Sequence, residues 1–259
     1  MHEERREAPI GIFDSGVGGI SVLYRIHKEL PGEALLYYGD TAHAPYGTRT
    51  REEVLGYCNA IVAHFQEDAV KAIVIACNTA SAVAAADMRA RLRIPVIAME
   101  PALKPASEMR QTGKVLVLAT PMTLKLPKFQ ALYAKYGEGA VPVPCPGLMD
   151  LVESQDTRGE RRYLEEIFTL YPPDTLDAVV LGCTHYVFLR PLLHAMLPDS
   201  VHVLDGNEGT ARQLRRVLAQ KDLLSQREEG SIRLETSGDA STVIPQMRRL
   251  LSQLAAQSP

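Results

Sequence analysis

Lys71-Ala72-Ile73-Val74-Ile75-Ala76-Cys77-Asn78-Thr79 reads as a short apolar strand that ends in a thiol, and the plan recurs in Asp177-Ala178-Val179-Val180-Leu181-Gly182-Cys183-Thr184-His185. An unbroken apolar run of this length suits a strand covered on both faces, as in a parallel sheet. Further runs of the kind stand at Pro9 to Phe13, Ala34 to Tyr38, Pro95 to Met99, Lys114 to Ala119 and Val201 to Leu204. Between them lie segments of helical length, such as Thr50 to Phe65, with Val54, Tyr57, Cys58, Ile61 and Phe65 near helical spacing. Alternation of this sort implies an α/β fold. Because the thiol signature occurs twice, about one small domain apart, the expectation is two similar doubly wound α/β domains facing each other across a cleft. The first spans 1–100 plus 208–259, its C-terminal segment (Ile232 to Glu235, Val243 to Leu254) returning to it; the second spans 101–207. Ligands of such sheets collect where the strands end and helices begin, so chemistry is sought there.

The chain has 259 residues, 46% hydrophobic and 23% charged, which excludes disordered, collagenous and low-complexity classes. Lys+Arg 28 against Asp+Glu 31 leaves a net charge of -3, unsuited to blanketing nucleic acid or an anionic membrane and better suited to a small substrate. The opening Met1-His2-Glu3-Glu4-Arg5-Arg6-Glu7 is too charged for the apolar core of a secretory signal, and no stretch stays apolar for a bilayer span. A cytoplasmic location is expected. Four scattered cysteines, Cys58, Cys77, Cys145 and Cys183, do not form a disulfide framework and are read as reduced. Cys183 and His185 lack a second ligand pair, so no metal is expected.

Asp14-Ser15-Gly16-Val17-Gly18-Gly19 follows the first strand and opens a helix. A dinucleotide fingerprint would need a third glycine where Ser21 stands, and Asp14 would crowd a pyrophosphate. An acid there suits a substrate ammonium or a proton-transfer group. The second strand leads into Gly39-Asp40-Thr41-Ala42-His43-Ala44-Pro45-Tyr46-Gly47, rich in turn formers and polar groups. Cys58 lies in a helical apolar stripe and Cys145 in Pro144-Cys145-Pro146-Gly147, contexts that are structural. Cys77 and Cys183 instead sit where a strand hands over to a helix, where amide N–H groups and the helix dipole favour thiolate. Cys183 with His185 fits a cysteine hydrolase but leaves Cys77 unexplained. Two like thiols suit a task with mirror symmetry, taking a proton from one face of a carbon and returning one to the other.

These motifs, with Leu181-Gly182-Cys183-Thr184-His185-Tyr186 and the late Thr236-Ser237-Gly238-Asp239, closely resemble the glutamate racemase family of the aspartate/glutamate racemase superfamily, from Pro9 nearly to the C-terminus. The resemblance implies a cofactor-independent isomerase that interconverts free L- and D-glutamate and supplies D-glutamate for peptidoglycan. It implies Cys77 and Cys183 as the proton-transfer pair, Asp14 supporting Cys77, and His185 and Glu153 supporting Cys183, with Asp150 a competitor for the place of Glu153. It assigns Asp14, Ser15, Asp40, Tyr46, Gly47, Asn78, Thr79, Thr120, Thr184 and His185 to the substrate, and it implies a homo-oligomer, taken as a dimer. Two departures stand out: His43 where the family often has Arg, and Pro121 to Pro127, which lacks the usual serine and carries an extra proline. Aspartate racemisation and plain amino-acid binding remain the competing readings.

Overall fold

The computed structural model describes residues 2–257. In chain order its elements begin with α1 (His2–Glu7), β1 (Ile10–Asp14), α2 (Ile20–Glu29), β2 (Ala34–Gly39), α3 (Arg51–Glu67), β3 (Ala72–Ile75), α4 (Asn78–Arg91), β4 (Val96–Ala98), α5 (Leu103–Met109) and β5 (Lys114–Ala119). There follow α6 (Pro121–Lys125), α7 (Pro127–Tyr136), β6 (Ala140–Pro144), α8 (Leu148–Ser154), α9 (Thr157–Leu170), β7 (Leu176–Leu181), α10 (Arg190–Met196), β8 (His202–Asp205), α11 (Asn207–Gln220), β9 (Ser231–Thr236) and α12 (Ala240–Gln257). Contacts group the chain into two units, Met1–Met99 with Asn207–Pro259, and Glu100–Gly206. Among the described residues no helix is long and apolar enough to cross a membrane.

The first unit is a parallel sheet of order β4-β3-β1-β2-β9. Successive side chains of a strand face opposite ways, and both faces here are apolar because both are covered. Ile10, Ile12, Leu35, Tyr37 and Val74 pack with Ile20, Leu23 and Ile26 of α2, Leu214 and Leu218 of α11 and Met247 of α12. On the other face Phe65 of α3 lies against Gly11, where a Cβ would come 2.5 Å from its ring; the missing side chain is what lets the helix seat. Thr50 starts α3 with a capping box, its Oγ1 accepting from Glu53 N (3.2 Å) while Glu53 Oε2 accepts from Thr50 N (2.8 Å).

The second unit is a parallel sheet of order β6-β5-β7-β8. Leu116, Leu118, Val179 and Leu181 face Leu148, Leu164 and Leu193, while Val115, Val117, Ala178 and Val180 face Leu103, Ala106 and Phe129. Its four strands follow the same winding as β1 to β4: the first strand is central, the second lies to one side, and the third and fourth to the other. The sequence repeat is therefore a repeat of topology, with β3 and β7 in equivalent places. One strand, β6, was not expected from its sequence, because Pro142 and Pro144 cannot donate to a ladder; at the sheet's edge they need pair on one side only. The unusual segment after Thr120 resolves into two short helices, α6 and α7, each begun by a proline at its first position.

Candidate active site

In both sheets the strand order reverses between the first strand and the third, β1 and β3 in one and β5 and β7 in the other. Crevices outside the carboxyl ends of such strands are where α/β sheets hold ligands. In the first unit those ends carry Asp14, Ser15 and Cys77, joined by Asp40 at the end of β2; in the second they carry Thr120 and Cys183. All are buried except Thr120, which is partly exposed.

Cys77 is the N-cap of α4, and its Sγ accepts from Ala80 N at 3.4 Å and lies 3.7 Å from Ser15 Oγ. A sulfur there meets the free amides of the first helical turn, a setting that favours negative charge. Next to it, Asn78 donates through Nδ2 to Met99 Sδ (3.3 Å), whereas its Oδ1 is buried with no hydrogen-bond partner among the described residues. Asp14 Oδ2 accepts from Gly19 N at 2.7 Å, so the carboxylate occupies the amino end of α2 where a dinucleotide phosphate would sit. Asp40 N donates to Asp14 O (2.9 Å), and the Asp40 carboxylate accepts from the Tyr46 hydroxyl. Burial, followed by nearby negative groups and this hydrogen bond, pushes the Tyr46 phenol far up, so it stays a donor. Gly47 follows it within the 3₁₀ turn Tyr46–Thr48.

Cys183 is built differently. It precedes a 3₁₀ stretch, Thr184–Leu189, rather than an α-helix, and its side chain caps no amide. Its Sγ lies 3.8 Å from His185 Nδ1, and His185 Nε2 lies 2.8 Å from Glu153 Oε1 on α8. Burial would lower the pKa of this imidazole, but hydrogen bonds and attraction from Cys183 and Glu153 outweigh it and raise the pKa well above the ordinary value. The second thiol thus has an imidazolium beside it in place of a helix terminus. It is Glu153 that reaches the ring; Asp150, one turn earlier on α8, contributes its carbonyl to Ser154 Oγ (2.7 Å). Thr184 is buried beside Cys183, Thr79 lies in the first turn of α4, and Thr120 caps α6 by accepting from Thr123 N (3.2 Å).

The other two thiols lie in apolar surroundings. Burial pushes Cys145 up to about 12 and Cys58 higher still.

A model of the Asp/Glu/Hydantoin racemase family matches residues 10–214. The chain belongs to that family. It is similar to the glutamate racemase of Bifidobacterium adolescentis, 47% identical over 253 residues that cover 94% of this chain and 97% of the relative. Among solved structures it resembles a glutamate racemase isoform of Bacillus anthracis, with a TM-score of 0.86, 31% identity and 95% of each chain covered. A glutamate racemase from Francisella tularensis solved with D-glutamate superposes with a TM-score of 0.81 at 25% identity, covering 95% of this chain and 94% of that one. This racemase fold carries the two strand-end cysteines on equivalent strands of its two sheets.

A candidate cation set among the described residues of this family member is His64, Asp68 and Glu235, whose ligand atoms lie within 4.8 Å of one another. Arg233 already pairs with Asp68 (2.5 Å) and Glu235 (3.1 Å), and His64 Nε2 with Glu235 (2.6 Å), so the set is a closed charge network. Sequence spacing did not point to Tyr57 or Met99: the first counted only as part of a helical stripe, and contact of Met99 with Asn78 depends on how β4 lies beside β3.

Proposed function

We infer that the chain interconverts L- and D-glutamate, using Cys77 and Cys183 as its two proton-transfer groups. The observation that carries this is the equivalence of the two thiols: each stands at the carboxyl end of the third strand of a repeated winding, followed by a polar threonine-bearing turn. A hydrolase or a binding protein has no use for a second such thiol. Glutamate, rather than another small acid, is supported by the glutamate racemase relatives and by the D-glutamate in one of them.

In this reading one sulfur begins as thiolate and accepts the α-proton, leaving the electron pair on the α-carbon, conjugated with the carboxylate. The opposite sulfur begins as thiol and gives its proton to the other face, and the carbanion is quenched with inverted configuration. Both thiols end with exchanged protonation, ready for the reverse hand. The intermediate carries charge on its carboxylate oxygens, and the free amides at the start of α4 and the polar side chains of Asn78, Thr79 and Thr184 supply the donors that stabilise it. The buried Asn78 Oδ1, an acceptor short of a partner, gains one from the substrate ammonium. Asp14 and Ser15 support Cys77, the His185–Glu153 pair supports Cys183, and Asp40, Tyr46, Gly47 and Thr120 complete the binding groups. No cofactor takes part, because each proton has a carrier in the chain. The product serves peptidoglycan synthesis in the cytoplasm, and the assembly is a homodimer.

Circular dichroism of L-glutamate incubated with the purified protein tests the reading. The signal decays to zero with the native chain and persists with Cys77→Ala or Cys183→Ala, while Cys58→Ala and Cys145→Ala remain active. Full activity in either of the first two variants excludes the two-thiol mechanism, and decay with aspartate alone excludes glutamate as substrate.

A further inference from the structure

His43 and Tyr57 have so far had no part in the chemistry. The Asp40 side chain is 3% exposed, and each of its oxygens is engaged: Oδ2 by the Tyr46 hydroxyl and Oδ1 by His43 Nδ1 at 2.8 Å. Facing a carboxylate, Nδ1 carries the proton and donates it. The His43 side chain is 43% exposed, and a ring so open to water does not hold one orientation unaided. Here it lies flat on Tyr57, with centroids 4.1 Å and planes 16° apart. Tyr57 also stacks along Tyr46, at 5.7 Å and 27°. The main chain closes the same circuit, since His43 N donates to Asp40 O (3.2 Å) and Arg49 Nε donates to His43 O (3.3 Å). Three rings from a loop, a 3₁₀ turn and α3 thus converge on one buried carboxylate.

We propose that His43, held by Tyr57, is a positioning residue: it fixes the Asp40 carboxylate, which fixes Tyr46 and so the Tyr46–Gly47 backbone offered to the glutamate carboxylate. The proposal rests on the glutamate reading above. The imidazole is committed to Asp40 and Tyr57 and moves no proton in the reaction, so its loss weakens substrate binding more than turnover. The clamp needs both properties of the residue, a donor and a flat ring.

Two substitutions separate those properties. His43→Phe keeps the ring and removes the donor; His43→Asn keeps a donor and removes the stack on Tyr57. Each raises KM for both enantiomers about tenfold, the scale of one hydrogen bond to a charged group, with kcat changed by less than about threefold. Tyr57→Leu acts through the same carboxylate, so its effect on KM is not additive with that of His43→Asn. His43→Phe leaves a buried Asp40 oxygen without its donor and lowers the melting temperature, whereas His43→Asn keeps a donor and the native melting temperature, so the KM of His43→Asn separates positioning from folding. Unchanged KM in both His43 variants of an active enzyme overturns the proposal, as does a loss confined to kcat. A native chain that leaves glutamate untouched defeats the glutamate reading instead.

Discussion

Burial pushes the Cys145 thiol up to about 12 and Cys58 higher still, so neither offers appreciable thiolate at pH 8. Iodoacetamide attacks thiolates, so Cys77, capping α4, and Cys183, beside the imidazolium of His185, should be alkylated first, with glutamate protecting both. Peptide mapping checks this, and early labelling of Cys58 contradicts it. His185 supplies a second prediction. Its folded-state pKa lies above the unfolded value of about 6.5, so the native state binds the proton more tightly. The resulting stabilisation is fully present below about pH 6.5 and is lost as pH rises through the folded value. Denaturant unfolding from pH 6 to 9 should show a decline on the alkaline side that His185→Gln flattens. The sequence showed the residue types of this site but not their pairing. Asp150 and Glu153 are both acids on one short helix, and the choice between them depends on how α8 packs beside Thr184–Leu189, which no local pattern encodes.

Strands buried on both faces were legible because an apolar run of four to six residues has few other uses, and β1, β3 and β5 follow from composition alone. β6 was hidden by prolines that an edge tolerates. The helix after Cys183 was read from the repeat with Cys77, but the chain turns there as 3₁₀ and becomes α-helical only at Arg190, so the second thiol lacks the full helix terminus of the first. Gly39, last in β2, illustrates a constraint at this scale. A Cβ on it would stand 2.5 Å from Met247 Cε and 2.7 Å from Gly16 O; the methionine can swing aside but the carbonyl belongs to the loop behind Asp14. Gly39→Ala should therefore cost about 1–3 kcal/mol, read as a lower urea midpoint at unchanged slope, and should lower activity by shifting that loop.

The first unit is assembled from both ends of the chain. β9 pairs in register with β2 from Ala34↔Ser231 to Gly39↔Thr236, and Val243, Met247, Leu250, Leu251 and Leu254 of α12 cover the sheet's face. At the amino ends of the strands, buried Lys71 pairs with Glu33 and donates to Arg6 O, while Glu33 Oε1 accepts from Ser225 N (2.9 Å). Deleting everything after Gly230 uncovers several large apolar side chains at roughly 1.5 kcal/mol or more each, a loss comparable with the whole stability of an ordinary domain. Residues 1–99 of such a chain should lose their cooperative melting transition and be cut rapidly by protease; native-like resistance there would show that β9 and α12 are dispensable. The same discontinuity orders events on the ribosome. Residues 100–206 are contiguous and can close as soon as they emerge, whereas the unit begun first waits while residues 100–259 are made, about 8–32 s at ordinary rates of synthesis. Through that interval the β2 edge is unpaired and open to other nascent chains, so slow translation or crowded polysomes threaten the N-terminal half of this protein more than its middle.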